Sequence, residues 1–198
     1  MLPVVELLLR NFPEILLSID TFRSEVASRC LEAGASLIND ISAGNLDPNM
    51  LAVIAKFKAP YIMMHMRGDP QTMQQKTDYN DLLVDTIKYF SEKISAAKGL
   101  GIIDLIIDPG FGFAKTVDQN YELLAKLKLF GHLNRPLLIG LSRKSMIYKV
   151  LNTNAENALN GTTALNMAAL MNGANILRVH DVKEAIECVK LAERLKAE

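Results

Sequence analysis

Leu105–Lys115 reads LIIDPGFGFAK, and the fold of the chain turns on it. The apolar run that opens it is what a strand buried on both faces shows. It stops at Asp108-Pro109, after which Gly110 and Gly112 alternate with Phe111 and Phe113. Proline cannot extend a ladder, and glycine lets the backbone take unusual angles and come close to a bound group. A carboxylate at the end of a buried strand is costly without a partner, so Asp108 is either paired or turned to a ligand. The plainer reading is a strand-to-helix turn with a capping Asp. Five other places in the chain repeat the pattern of apolar strand, then polar cluster.

Upstream, Ile15–Ile19 reads as a strand ending in Asp20-Thr21, with an amphipathic helix over Arg23–Ala33 closed by Gly34. Leu37–Ile38 runs into Asn39-Asp40 and the helix Asp47–Lys58, with Pro48 in its first turn. Pro60–Met64 ends at His65, and a polar loop, Met66–Lys76, leads to a long helix over Tyr79–Lys98. The strand of the central stretch covers Ile103–Ile107, and its helix Gln119–Leu129. Downstream, Pro136–Gly140 passes through Leu141-Ser142-Arg143-Lys144 into a helical segment, a polar loop at Asn152–Asn160 and the helix Thr162–Met171. Ile176–Val179 is the last strand, followed by His180-Asp181 and the helix Val182–Leu195. Val4–Arg10 is helical in pattern, and no strand comes before it.

Alternating β and α elements imply a mainly parallel sheet with right-handed crossovers in a single domain over residues 1–198. An open doubly wound sheet gathers ligand residues at one switch point, whereas a (β/α)8 barrel draws them from many strand ends on one face. Asp20, Asn39, His65, Asp108, Lys144, Arg178 and His180 stand at or just past the C-terminal ends of all six strands. The expectation is a TIM-type (β/α)8 barrel with about six β-α units, lacking its first two at the N-terminus.

Lys+Arg and Asp+Glu are each 22, so no net field draws in nucleic acid or an acidic membrane, and any anion site is local. Cys30 and Cys188 lack metal-ligand spacing and point to a reducing compartment. The apolar start carries Glu6 and Arg10 and reads as a helix, not as a leader; the expected location is the cytoplasm.

Asp20, Asn39 and Asp108 put two carboxylates and an amide on separate strands. Converging, they suit a flat heterocycle with an amidine-like edge, because a carboxylate accepts two parallel N–H bonds from such a group. Singly, each reads as well as a helix cap or an inter-strand bond. Arg178 and His180 are two apart, hence on one side of a strand, and with Lys144 they form a cationic patch fit for phosphate or pyrophosphate. Lys144 lies near a helix start, where N–H groups favour anions; solvated basic residues on a capped helix, or a Schiff-base lysine, are the other readings. His65 among methionines reads as a structural histidine, Met63, Met64, Met66 and Met73 as packing, and His132 as surface.

Six segments in order, SIDTF (18–22), GASLINDISAG (34–44), MHMRGDPQTMQ (64–74), IDPGFGFAKT (107–116), GLSRKSMI (140–147) and ILRVHDV (176–182), resemble the dihydropteroate synthases. The resemblance implies a (β/α)8 barrel that joins 6-hydroxymethyl-7,8-dihydropterin pyrophosphate to 4-aminobenzoate in folate biosynthesis, with sulfonamides acting at the same place. It assigns the pterin to Asp20, Asn39, Asp108 and Lys144, with Asp108 and Lys144 catalytic. It assigns the pyrophosphate to Arg178 and His180, and the aminobenzoate to Phe113, Ser142 and Lys144. Mg²⁺ is the implied cofactor, with its protein ligand in the N-terminal region that this chain lacks. A homodimer, with no nucleic acid or membrane partner, is implied too. The same resemblance carries the expectation of weak or no turnover by these residues alone. A non-catalytic pterin-binding module and the pterin-binding barrel of corrinoid methyltransferases are the competing readings.

Overall fold

The structure, a computed structural model, describes residues 1–196. Its helices are α1 (Leu2–Asn11), α2 (Ser24–Glu32), α3 (Met50–Phe57), α4 (Leu82–Gly99), α5 (Val117–Ala125), α6 (Ser145–Val150), α7 (Leu159–Met171) and α8 (Val182–Lys196). The strands are β1 (Ser18–Asp20), β2 (Leu37–Asp40), β3 (Tyr61–Met64), β4 (Leu105–Asp108), β5 (Leu138–Ile139) and β6 (Ile176–Leu177). All pairings are parallel: β1-β2-β3-β4 form one sheet and β5-β6 another, and a single bridge between Ile107 and Leu137 joins them. The result is a six-strand arc of the expected barrel, in which β1 and β6 have no outer neighbour among the described residues.

Strand alternation sorts the side chains of this arc. Ile19, Ile38, Tyr61, Met63, Leu105, Ile107, Leu137 and Ile139 face outward and are buried under the helices, so the core lies between sheet and helix ring. The opposite face, with Ser18, Leu37, Ile62, Ile106, Leu138 and Ile176, lines a cleft of about 490 Å³. Ile106 is only half-buried there, so the central strand is closed on one face and borders the cleft on the other, a correction to the reading of burial on both faces.

Element ends depart from expectation for local reasons. α4 begins at Leu82, not Tyr79, because Asp81 caps it by accepting from Val84 N at 3.0 Å. α5 starts two residues earlier than Gln119 through a capping box: Thr116 Oγ1 accepts from Gln119 N, and Gln119 Oε1 accepts from Thr116 N. It also stops at Ala125, and a 3-10 helix, Leu127–Leu133, takes over and carries exposed His132. Pro48 precedes the Asn49 cap of α3 and so lies outside its first turn. α7 reaches back to Leu159, over Asn160, which read as loop, and Gly161 after it. Gly161 is needed inside it, since a Cβ there would overlap Ile147 on the facing α6 and Leu151 just past its end.

Candidate active site

Register brings the site together before any side chain is considered. Asp20 pairs with Asn39, Asn39 with Ile62 on β3, and Ile62 in turn with Ile106 on β4. Asp108 lies two residues beyond Ile106 on β4 and so on the same face, and Arg178, just past the end of β6, also lines the cleft. The four polar residues therefore meet at the C-terminal mouth of the cleft. Asn39 Nδ2 donates to Asp20 Oδ2 at 2.9 Å, and the Arg178 guanidinium reaches Asp108 Oδ2 at 3.2 Å and Asn39 Oδ1 at 3.4 Å.

Asp108 is 1% exposed and is paired, its Oδ2 facing the Arg178 guanidinium. Its Oδ1 accepts from Gly110 N at 2.8 Å, an Asx-type turn that fixes the start of the DPGFGF loop. Gly110 adopts φ +72, and a Cβ there would overlap the His65 carbonyl oxygen. Asp20 has its carboxyl pushed up by burial, with Arg178 and Asn39 pulling the other way.

Arg178 and His180 part company. β6 ends at Leu177, so neither sits on the strand, and strand alternation does not align them as expected. Arg178 turns to β4 and β2, whereas His180 turns to the loop after β5. There Ser142 Oγ accepts from His180 N at 3.2 Å and lies 3.1 Å from His180 Nδ1. Next to it, Arg143 grips Asp181 with two bonds of 2.8 and 2.9 Å and holds the Ala155 and Glu156 carbonyls. Arg143 is thus a brace between loops and not a solvated residue.

Lys144 caps α6, a helix of only six residues, so its role rests on its own side chain. Its ammonium bonds the Phe111 carbonyl and lies 4.9 Å from the centre of the Phe113 ring. Burial, opposed by Asp108 and reinforced by Arg178, brings it down to about 8. Asp20, Asn39, Asp108, Lys144 and Arg178 therefore form one constellation. Ser142 and His180 form an adjoining pair, and Phe113 lies beside Lys144.

Two buried residues escaped the sequence reading. Asp40 is fully buried and accepts from Ser42 N, Ser42 Oγ, Gly44 N and the Tyr61 hydroxyl, at 2.6 to 2.8 Å, so it shapes the loop after β2. Its signal was the Asp-x-Ser-x-Gly spacing, a turn pattern. Lys115 is 5% exposed, and its ammonium contacts His65 Nδ1, Gly110 O and Phe113 O. Sequence period alone cannot tell a buried lysine from a solvated one. His65 is structural as expected: burial first, then Lys115 and Arg67, hold its imidazole down at about 2, and therefore neutral.

Among the described residues no group of three or more His, Cys, Asp or Glu is placed to hold a metal ion. The carboxylates at the cleft mouth are engaged by Arg178, Gly110 and Asn39. These residues do not build a cage for Mg²⁺.

The chain matches the model of the pterin binding enzymes over residues 1–180. It is 45% identical over 197 residues to the dihydropteroate synthase of Synechocystis sp., covering 98% of this chain and 68% of that one. The Yersinia pestis dihydropteroate synthase in a sulfonamide drug complex superposes with a TM-score of 0.94 at 41% identity, covering 98% of this chain and 71% of that one. The Xanthomonas albilineans dihydropteroate synthase with 4-aminobenzoic acid gives a TM-score of 0.92 at 35% identity, over 100% and 71%. On this sequence match and this shared arc of barrel, the chain belongs to the pterin-binding enzymes, among the dihydropteroate synthases.

Proposed function

We propose that this chain carries the pterin and aminobenzoate sites of a dihydropteroate synthase. The reaction is the condensation of 6-hydroxymethyl-7,8-dihydropterin pyrophosphate with 4-aminobenzoate to 7,8-dihydropteroate and pyrophosphate. The observation that carries the reading is the convergence of Asp108, Asn39 and Asp20 with Arg178 and Lys144 at one cleft mouth. The carboxylate of Asp108 accepts the N–H edge of the pterin, with Asn39 and Asp20 beside it. Arg178, released from Asp108 by that edge, turns to the pyrophosphate, together with His180. As the methylene C–O bond breaks, the electron pair leaves on pyrophosphate and the methylene becomes cation-like, stabilised by the electron-rich ring that Asp108 holds. The amine of 4-aminobenzoate forms the C–N bond and then sheds one proton. Phe113, Lys144 and Ser142 flank it, and no side chain serves as a covalent nucleophile.

Mg²⁺ is proposed as the companion of the pyrophosphate, where it would offset the charge of the leaving group; none of the described residues is assigned to hold it. A second copy of the chain is the proposed partner, on the exposed apolar residues Val182, Ile186, Leu191 and Leu195 of α8. The cytoplasm is the proposed location; Cys30 and Cys188 are free, and no helix of the described residues is long and apolar enough to cross a membrane.

The contacts of Ser142 with His180 and of Arg143 with Asp181 unite the SRKS and RVHD segments. A methyltransferase barrel is not expected to carry that pair, which favours the synthase reading. Because the interior face is open along the cleft, the isolated chain is expected to bind pterin pyrophosphate and to turn over slowly or not at all. Calorimetric titration of the purified chain with pterin pyrophosphate and Mg²⁺ tests the reading, and binding that Asp108→Ala abolishes supports it. No saturable binding overturns it.

A further inference from the structure

The turn that follows β4 has an unusual arrangement of carbonyls. Gly110 O and Phe113 O accept from the Lys115 ammonium at 3.0 and 3.1 Å, and Phe111 O accepts from Lys144. Gly112 O accepts from Gln74 Nε2 at 3.2 Å. Four successive carbonyls are thus each held by a side-chain N–H donor, two of them by Lys115 and one by Lys144. The third contact of Lys115 is His65 Nδ1 at 3.1 Å. A neutral imidazole with its proton on Nε2 accepts there, which joins the end of β3 to the turn.

Resting on the synthase reading, we propose that Lys115 is a positioning residue: by pinning Gly110 O and Phe113 O against His65, it sets the Phe111 carbonyl and the Phe113 ring that hold Lys144 at the cleft mouth. Nothing places Lys115 itself against a substrate, since it is buried behind the turn. Its action passes through Lys144. The charged and titratable groups around it are Asp108 on β4, Lys144 at the cap of α6 and His65 past β3, with Arg67 beyond His65. Burial brings Lys115 down to about 7, with Lys144 adding to the fall and Asp108 opposing it. Lys144 therefore bears on the titration of Lys115.

The test uses the full chain with lysines labelled at Cε, the Lys144 resonance being assigned with Lys144→Arg, and compares the wild type with Lys115→Met. The expected result is a folded variant in which the Lys144 midpoint, near 8 in the wild type, rises by about half a unit or more. Entry of water to the loosened turn relieves the desolvation that holds Lys144 down, and so acts upward. The Kd for 4-aminobenzoate, with the pterin site saturated, is expected to rise about tenfold, while the Kd for pterin pyrophosphate stays within about threefold. Lys115→Gln keeps an amide donor for the turn, is expected to give the same changes at smaller size, and stands in if Lys115→Met does not fold. An unmoved Lys144 midpoint in a folded variant overturns the proposal, as does an equal loss for both substrates. If the wild type neither binds nor turns over pterin pyrophosphate, it is the synthase reading that fails, and the Lys144 midpoint still decides whether Lys115 positions it.

Discussion

The Arg178 guanidinium lies 3.2 Å from Asp108 Oδ2, joining the last strand end to the fourth across the mouth of an open cleft. The pair is uneven: the Asp108 side chain is 1% exposed and that of Arg178 37%. The acid is fixed by the fold, and the base can move. Such a pair presents a cation to an incoming anion as soon as a better partner takes the carboxylate. Asp108→Asn removes the charge while keeping an acceptor for Gly110 N. Losing a charge-assisted bond of this kind costs roughly 2–3 kcal/mol, so pterin pyrophosphate affinity is expected to fall about 100-fold. Calorimetry on both proteins checks it, and a change below about threefold contradicts the assignment of Asp108 to the pterin.

Gly140 is where Arg178 packs, since a Cβ there would stand 3.0 Å from one guanidinium nitrogen and 3.1 Å from another. Gly140→Ala is expected to displace Arg178 without touching the pterin carboxylates. Affinity for pterin pyrophosphate should drop about tenfold, while affinity for the pterin alcohol stays unchanged. Competition binding with the two ligands separates these outcomes, and equal losses for both count against a pyrophosphate role for Arg178.

His65 gives a pH signature of folding. Its folded-state value is depressed, to about 2, from an ordinary 6.5, so the unfolded chain takes up a proton below pH 6.5 that the folded chain refuses. Stability from this group is therefore present above pH 6.5 and lost as pH falls, with a slope approaching about 1.4 kcal/mol per pH unit. His65→Gln keeps a side-chain acceptor for Lys115 but does not titrate. Urea unfolding at pH 7, 6 and 5 is expected to show a flatter acid limb in the variant, and parallel limbs would refute a buried neutral His65.

Lys144, brought down to about 8, is a cation below that pH and increasingly neutral above it. Binding of 4-aminobenzoate, whose carboxylate is anionic throughout, is expected to weaken as pH rises through 8, and Lys144→Met to abolish that dependence. Fluorescence titrations between pH 7 and 9.5, with the pterin site saturated, measure it. A pH-independent affinity in the wild type would remove Lys144 from the aminobenzoate site.

The sequence by itself determined the order of six β-α units and the polar cluster that follows each apolar run, while the strand ends themselves moved by up to two residues. Alternation of apolar runs with polar clusters is a local signal, and motifs such as DPGFGF and SRKS carry their turn chemistry with them. It also placed Asp20, Asn39 and Asp108 at strand ends, and only parallel register was needed to bring them together. The tertiary structure decided what depends on neighbours distant in the chain. Arg178 and His180, two apart in sequence, diverge to Asp108 and Ser142 because the strand before them stops early. Arg143 is a brace because Asp181 and two carbonyls come within reach. Lys115 is buried because β3 and the turn after β4 close over it. Burial and pairing are properties of the packed molecule, since desolvation and hydrogen bonding are set by atoms that sequence spacing does not locate.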